Sequence, residues 1–357
     1  MRNSSDTSKV TSGVPARAYA AFDTTSPLKP FAFQRRSPEK TDVQIKILFC
    51  GICHSDLHWV KGDWGPQTYP VVPGHEIVGR VESVGSGVQK FKIGDLVGVG
   101  CLVDSCRSCT NCHEDEEQYC ERGGTFTYGS RDSRGGITQG GYASHIVVEE
   151  RFVLRIPENL SPAAAAPLLC AGITTYSPLK HWNAGPGTQV AVAGLGGLGH
   201  MAVKIARAMG AHVTVLSTST KKQKDAERLG AHEFIALSSD RDFAQGTKKF
   251  DLIINTISAS HSYDAYLSLL KKNGTMVLVG LPGPQPVQAF SLVGGRRRLA
   301  GSLIGGLRET QEMLDFCGQH GIAAEIETVK PEQINSAYER LLKNDVQYRF
   351  VIDLREI

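Results

Sequence analysis

The segment from Gln189 to Gly210 limits most strictly what this chain can fold into. A short apolar stretch, Gln189–Ala193, is followed directly by Gly194-Leu195-Gly196-Gly197-Leu198-Gly199 and then by apolar residues at helical spacing. A glycine-rich turn between a strand and a helix is typical of dinucleotide sites. The first glycine permits the tight turn, the second lets the pyrophosphate approach, and the third packs helix on strand. The segment predicts a bound dinucleotide.

The residues after the next strand indicate which dinucleotide is bound. The predicted strand 212–216 is followed by Ser217-Thr218-Ser219-Thr220-Lys221-Lys222, with no acidic residue before Asp225. An NAD site carries Asp or Glu at this strand end to hold the ribose 2′-hydroxyl. Hydroxyls and two cations suit a 2′-phosphate instead. The stretch therefore predicts NADP(H), and it is also compatible with an ordinary capped start of a helix.

The two halves of the chain differ in pattern. Residues after 188 alternate between strands and helices, which predicts a doubly wound parallel sheet with further strands at 233–237, 252–255, 275–279 and 299–304 and a helix at 263–270. The earlier half has short β-rich segments separated by glycines, at 43–49, 77–84, 96–99 and 143–148. It predicts an irregular, mostly antiparallel β domain. The last residues predict a helix around 311–316 and the strand Arg349–Asp353, which we expect to return to that domain.

The loop from residue 51 to residue 76 contains the first candidate metal ligands. Cys53 and His75 offer a thiolate and an imidazole, ligand types that zinc prefers. Asp56 is suited to hold the other ring nitrogen of His75. Ser55 and His58 add a hydroxyl and a titratable imidazole, the parts of a proton relay. Taken alone, Cys53 and His75 are equally compatible with ordinary core positions.

Cys170 is the third candidate ligand. It lies in the alanine-rich, apolar segment 163–172, which predicts a buried helix in which a cysteine is usually only a small apolar residue. A catalytic zinc needs three protein ligands and one open position, and two thiolates with one imidazole form such a set. Glu76 is placed to occupy the open position when no substrate is bound. Cys50 and Cys53 also have C-x-x-C spacing, but their surroundings indicate a strand end and turn rather than the helix start of a redox pair.

Four cysteines fall within fifteen residues and predict a second metal site. Their spacing, C-x2-C-x2-C-x7-C, fits four thiolates around one ion with no position left for water, as in structural zinc sites. The chain length and the odd total of nine cysteines disfavour disulfides. An iron–sulfur cluster uses similar spacings, but the acidic run 114–117 lies inside this loop. Cys101 is out of step with the cluster. The four ligands are Cys106, Cys109, Cys112 and Cys120.

Length and charge exclude several classes of protein. At 357 residues the chain is too long for one ordinary core and predicts two domains. The net charge is only +3 and no basic stripe is present, so no nucleic-acid partner is expected. No apolar run approaches the length of a membrane span. Residues 1–16 are rich in Ser and Thr and lack the apolar core of a signal peptide, so we expect a flexible leader and a cytoplasmic protein.

The motifs together, in this order, resemble the zinc-dependent medium-chain alcohol dehydrogenases, and in particular the cinnamyl alcohol dehydrogenase branch with the bacterial broad-range aldehyde reductases. The similarity covers the chain after the leader. It implies a GroES-like catalytic domain (residues 17–170 and 306–357), a Rossmann NADP-binding domain (171–305) and a homodimer formed through the Rossmann sheets. The motifs that carry it are Gly51-Ile52-Cys53-His54-Ser55-Asp56, Pro73-Gly74-His75-Glu76, Val103-Asp104-Ser105-Cys106, Leu168-Leu169-Cys170-Ala171-Gly172 and Gly301-Ser302-Leu303-Ile304-Gly305.

The resemblance also implies roles for individual residues. His54 would meet the cofactor phosphates, and Ser55 and His58 would relay the proton. Further cofactor contacts are implied for Thr174, Thr256, Gly280, Ser302, Leu303 and Ile304. In one respect this chain departs from the family. Plant members carry a tryptophan just after the structural lobe, whereas Thr125 and Phe126 stand there in this chain. A preference for phenylpropenyl aldehydes is therefore not implied.

We expect a zinc-dependent oxidoreductase that reduces aldehydes to primary alcohols with NADPH, reversibly. A non-catalytic zinc- and nucleotide-binding protein and a zinc-free quinone reductase are the alternatives, and both complete ligand sets argue against them. The predicted pocket walls carry no fixed charge, which favours a broad range of neutral aromatic or aliphatic aldehydes. These wall residues are Trp59, Trp64, Cys101, Phe126, Leu303 and Ile304.

Overall fold

The chain forms two large sheets, one mainly antiparallel and one parallel. A computed structural model describes residues 13–237, 242–243 and 248–357. Residues 1–12, most of the predicted leader, lie outside the described residues, and the first strand begins at Val14. The predicted fold class is confirmed, with a β-rich region that carries both cysteine motifs and an α/β region that carries the glycine turn.

Seventeen strands and ten helices lie wholly within the described residues and are numbered in chain order. The strands are β1 (Val14–Ala20), β2 (Lys29–Arg35), β3 (Asp42–Ile52), β4 (Ile77–Val84), β5 (Leu96–Val99), β6 (Leu102–Asp104), β7 (Thr125–Phe126), β8 (His145–Glu149), β9 (Leu154–Arg155), β10 (Gln189–Ala193), β11 (His212–Ser217), β12 (Glu233–Ala236), β13 (Phe250–Asn255), β14 (Leu270–Leu278), β15 (Arg298–Gly301), β16 (Ile326–Val329) and β17 (Arg349–Asp353). The helices are α1 (His54–Lys61), α2 (Thr110–His113), α3 (Pro162–Ala165), α4 (Ala171–His181), α5 (Gly199–Ala208), α6 (Gln223–Arg228), α7 (Tyr263–Ser268), α8 (Ala289–Val293), α9 (Leu307–His320) and α10 (Ile334–Leu342). Within the described part of the chain, no helix has both the length and the apolar character needed to cross a bilayer.

The first sheet has seven strands, in the order β16-β17-β3-β4-β5-β9, with β8 also paired with β3. Only β16 and β17 pair in parallel; the other neighbours are antiparallel. The apolar residues that alternate along β3, Val43, Ile45 and Ile47, are fully buried in one core. This alternation is the pattern of a sheet with one face toward the core. The carboxyl end of β3, at Ile52, lies beside the start of β17, at Phe350.

The second sheet is entirely parallel, in the order β12-β11-β10-β13-β14-β15. Along β10, Val190 and Val192 contribute to one apolar core, whereas Ala191 and Ala193 contribute to the core on the opposite face. A strand that is buried on both sides is typical of a doubly wound sheet. The direction in which successive strands are added to the sheet reverses between β10 and β13. The glycine turn that joins β10 to α5 lies at this point, and ligands bind at such switch points of open parallel sheets.

The C-terminal segment returns to the first sheet, as predicted. β17 pairs antiparallel with β3, so that Phe350 lies opposite Ile52 and Ile352 opposite Cys50. Val351, between them, contributes to the core that extends to the parallel sheet. β17 therefore lies between the two halves of the molecule, and a side chain at its start reaches both.

Several predicted elements have other bounds in the structure, among them one helix, one apolar segment and one strand. The helix predicted over 263–270 ends at Ser268, because Leu270 already begins β14. The segment 163–172 is not one helix, since Cys170 lies in a break between a 3-10 turn and α4, just after Pro167. The strand predicted over 299–304 ends at Gly301, and Ile304 has a φ of 39°, which no strand residue adopts.

Candidate active site

Four potential metal ligands from three separate segments meet in a buried cluster. Cys53 precedes helix α1, His75 and Glu76 precede strand β4, and Cys170 precedes helix α4. Their sulfur, nitrogen and oxygen atoms all lie within 4.8 Å of one another. The structure therefore brings together the complete set predicted from the sequence, at the point where three element ends converge.

A buried carboxylate, Asp56, holds two of these segments together. One of its oxygens lies 3.0 Å from Nδ1 of His75 and accepts the backbone N–H of Gly74 at 3.1 Å. The other accepts the backbone N–H of Cys53 at 2.8 Å and the hydroxyl of Tyr142 at 3.1 Å. Because Nδ1 of His75 is engaged, Nε2 is the ring nitrogen left for a metal.

Arg349, at the start of β17, is the functional residue that sequence reasoning missed. Its side chain is buried and forms an ion pair with Glu76. One guanidinium nitrogen lies 3.9 Å from the sulfur of Cys53. Arg349 also fills the space beside Gly197. A Cβ added at Gly197 would lie only 2.9 Å from the Cδ of Arg349. A charged residue at the head of an otherwise apolar strand was the only available signal.

Burial and neighbouring charges shift the pKa values of the cluster. Burial raises the pKa of Glu76 to about 8, although the positive charge of Arg349 acts in the opposite direction. The thiol of Cys170 donates toward Cys53 and lowers the pKa of Cys53, and the charge of Arg349 lowers it further. Cys53 is therefore the cysteine of this cluster that most readily becomes a thiolate.

The cluster fits a divalent cation. The oxygen Oε2 of Glu76 and the Nε of Arg349 have no hydrogen-bond partner among the described residues, although both are buried. An unpaired buried oxygen is costly unless a cation or a donor satisfies it. Two thiols and one imidazole at this spacing are the donor set of a catalytic zinc.

The four-cysteine lobe forms the second cluster. The sulfurs of Cys106 and Cys112 are 3.9 Å apart, and all four lie within 4.8 Å. Backbone amides donate to the sulfurs of Cys120 and Cys109, at 3.4 and 3.5 Å. All nine cysteines of the chain are free thiols. Four converging sulfurs that accept amide hydrogen bonds fit a closed zinc site. As expected, Cys101 is not part of it; it lies beside Cys170, whose thiol lowers the pKa of Cys101.

The glycine turn between β10 and α5 leaves a cradle for a dinucleotide. A Cβ at Gly196 would meet no atom within 4 Å, so the backbone there is open to a ligand. A Cβ at Gly199 would lie 2.1 Å from the carbonyl oxygen of Gly194, which is the close helix–strand packing expected of the last glycine. The geometry matches the assigned roles of the three glycines.

The other predicted cofactor residues surround the carboxyl edge of the parallel sheet. Ser217 ends β11, Thr218 and Ser219 are exposed, and Lys222 donates to the carbonyl of Leu195 at 2.7 Å. The remaining positions follow β13, β14 and β15 or lie in α4, namely Thr256, Gly280, Ser302, Leu303, Ile304 and Thr174. The hydroxyl of Thr256 bonds to the carbonyl oxygen of Ala193 at 2.9 Å, at the head of the glycine turn.

Helix α1 presents the three predicted polar residues of the loop. His54 is exposed at its first position, and the Ser55 hydroxyl lies 3.6 Å from the sulfur of Cys53. The Nδ1 of His58 lies 2.8 Å from a carboxylate oxygen of Asp63, and its ring stacks on that of Trp64. Ser55 is thus adjacent to the cluster, and His58 lies one turn away, toward solvent.

Two family models match the chain. Residues 39–158 match the alcohol dehydrogenase GroES-like domain, and residues 197–319 match the zinc-binding dehydrogenase model. An NADP-dependent alcohol dehydrogenase C of Mycolicibacterium smegmatis is 58% identical over 338 residues, covering 94% of this chain and 97% of that protein. The aldehyde reductase YahK of Escherichia coli is 53% identical over 347 residues, covering 96% and 99%.

Solved structures of the same family superpose closely. A cinnamyl alcohol dehydrogenase from Sorghum bicolor has a TM-score of 0.93 and 48% identity, covering 96% of this chain and 98% of that chain. The Helicobacter pylori enzyme solved with NADP(H) has a TM-score of 0.91 and 43% identity, covering 96% and 99%. The resemblance predicted from the motifs is therefore confirmed, together with its two cofactors, zinc and NADP. The chain belongs to the zinc-binding alcohol dehydrogenase family.

Proposed function

We propose that this chain reduces neutral aldehydes to primary alcohols with NADPH, reversibly, at the buried Cys53–His75–Cys170 cluster. The observation that carries the proposal is Arg349, which contacts both Glu76 in the cluster and Gly197 in the dinucleotide turn. A metal cluster and a cofactor cradle that share one side chain are close enough to act on one substrate. The aldehyde reductase YahK, with 53% identity, supports the direction of the reaction.

We assign two zinc ions to each chain. Cys53, His75 and Cys170 would hold the catalytic ion, and Glu76 would take its open position in the absence of substrate, since its second oxygen is free of other partners among the described residues. Cys106, Cys109, Cys112 and Cys120 would hold the structural ion. The first set leaves a position for a ligand and the second does not, which separates their roles.

The residues of helix α1 would manage the proton. The chemistry supplied by the bound metal and dinucleotide is Lewis-acid polarisation of the carbonyl and hydride donation. Ser55, beside Cys53, is placed to donate a proton to the product oxygen. His58 is three residues further along the same helix and therefore on the same side. Its side chain is 37% exposed and bonded to Asp63, so it can exchange the proton with water.

The remaining assignments concern cofactor, domains and compartment. Ser217, Thr218, Ser219 and Lys222 would hold the 2′-phosphate, and His54 would contact the pyrophosphate. We place the catalytic domain at 17–170 and 306–357 and the Rossmann domain at 171–305, because all six strands of the parallel sheet fall in the latter range. A cytoplasmic location is supported by the nine free cysteines, since both thiolate sets require a reducing compartment.

The zinc assignment predicts different losses at the two sites. We expect Cys53→Ser to abolish turnover while the fold persists, and Cys109→Ser to lose the structural ion and much of the stability, because three thiolates remain without a complete site. Elemental analysis, thermal unfolding and activity of each variant test this. Cys317→Ser, a buried cysteine outside both clusters, is the control and should retain both ions. A wild type with one zinc or none would contradict the assignment.

The stretch after β11 predicts a preference for NADPH over NADH. We expect Ser217→Asp to repel the 2′-phosphate and to move the preference toward NADH. The ratio of kcat/KM for the two cofactors is the measurement. Ser217→Asn is the control, because asparagine has the shape of aspartate without its charge. It should retain more of the NADPH preference than Ser217→Asp does. Equal kcat/KM values for the two cofactors in the wild type would show that this stretch does not select the phosphate.

The pocket predicts a preference for uncharged substrates. Its expected walls include Trp59 and Phe126, which are half-buried, and Cys101, and none carries a fixed charge. A buried charged substrate would stay unpaired, whereas an apolar one gains from leaving water. We expect benzaldehyde to have a much higher kcat/KM than a carboxylate-bearing aldehyde of similar size. A preference for the charged compound would mean that a basic residue lines the pocket, and the neutral-aldehyde proposal would be abandoned.

The outer edge of the parallel sheet predicts a homodimer. β15 is the last strand in the sheet order. In the nearby helix α8, Phe290 is 77% exposed to solvent and Val293 is 70% exposed. Exposed apolar side chains beside an open strand edge favour association. We expect light scattering to give the mass of a dimer for the wild type and a shift to monomer for Val293→Lys. Ile93→Lys, equally exposed elsewhere, should remain dimeric; a monomeric wild type would refute the proposal.

A further inference from the structure

The segment that leads from β15 to helix α9 is the part of the proposed cofactor site under the greatest backbone strain. Ile304 has a φ of 39°, in the left-handed region that a β-branched residue almost never adopts. Such a conformation persists only where surrounding contacts hold it. Ile304 packs against both the core of the first sheet and the core of the parallel sheet. Contacts on either side of it therefore determine where this segment lies.

Those contacts come from the four-cysteine lobe. The backbone N–H of Leu303, the residue before Ile304, donates to the hydroxyl of Tyr119 at 3.2 Å. The backbone N–H of Leu307, the first residue of α9, donates to a carboxylate oxygen of Glu117 at 3.0 Å. Tyr119 and Glu117 both lie between the third and fourth cysteines, Cys112 and Cys120. The lobe thus binds the segment before and after the strained residue.

Between these two bonds the lobe and the segment are in direct backbone contact. A Cβ at Gly306 would lie 1.7 Å from the carbonyl oxygen of Asp115, so only glycine fits there. Glu117 is a buried carboxylate, 6% exposed, at the positive end of the 14-residue helix α9. That placement stabilises both the charge and the first turn of the helix.

We propose that Tyr119 and Glu117 are positioning residues for the cofactor, so that the metal of the lobe determines where Leu303 and Ile304 meet NADPH. The inference rests on the proposed function, which places these two residues at the cofactor. At its other end the segment is bonded to the parallel sheet, where the N–H of Ser302 donates to the carbonyl oxygen of Leu278 at 3.2 Å. The lobe supplies the attachment to the other domain, and a metal held by its four cysteines would keep the lobe rigid.

The test uses Tyr119→Phe in the zinc-loaded enzyme, which removes only the hydroxyl. We expect both zinc ions to be retained, faster amide hydrogen exchange over 303–307 without cofactor, and NADPH binding weakened about threefold to tenfold, the size of one net hydrogen bond. The KM for NADPH should rise more than kcat falls. Tyr19→Phe, a tyrosine of β1, is the matched control and should leave zinc content, amide exchange, NADPH affinity, KM and kcat at wild-type values.

Glu117 provides a second, independent variant pair. Glu117→Gln keeps an oxygen that can accept the N–H of Leu307 and should bind NADPH nearly as tightly as the wild type does. Glu117→Ala loses that acceptor and should bind NADPH more weakly. Wild-type exchange and wild-type NADPH affinity in Tyr119→Phe would overturn the inference, and so would faster exchange with unchanged affinity. A wild type that does not bind NADPH at all would refute the proposed function instead.

Discussion

The site depends on the burial of one carboxylate, Asp56. It lies fully inside the protein, and its two oxygens accept bonds from Cys53, Gly74, His75 and Tyr142. A charge in that position is tolerated only because each oxygen is satisfied. The donors come from three different loops, so satisfying the carboxylate also brings together two of the metal ligands, Cys53 and His75. The hydroxyl of Tyr142 is itself 3.4 Å from that of Tyr338, which extends the network to helix α10.

Local patterns in the sequence were sufficient for most of the fold and for the ligand sets. The glycine turn, the four-cysteine spacing and the alternation along β3 each involve residues close together in the chain, where spacing determines geometry. Cys53, His75 and Cys170 are distant from one another, and they were joined by the chemistry that a catalytic zinc requires and by the family resemblance. The structure places all of them in one cluster.

What escaped prediction depends on contacts between distant residues. Arg349 and Glu76 are 273 positions apart, and no periodicity or spacing connects them. The strand predicted through Ile304 ends at Gly301 because only the N–H of Ser302 still bonds to the parallel sheet, whereas the N–H of Leu303 donates to Tyr119 in the four-cysteine lobe. The break at Cys170 has a local cause instead, because Pro167 in the preceding turn interrupts a regular helix, and the break directs a thiol toward the cluster.

The pairing of β17 with β3 has a consequence for how the protein is made. β17 is synthesised after every other strand of the described chain, so the first sheet lacks a central neighbour of β3 until that stage. The four cysteines of the lobe are available to bind metal much earlier, because they lie within one short stretch. The catalytic cluster, by contrast, lacks Arg349 until β17 has been made. A newly made chain therefore has the four sulfurs of the lobe long before it has the arginine that pairs with Glu76.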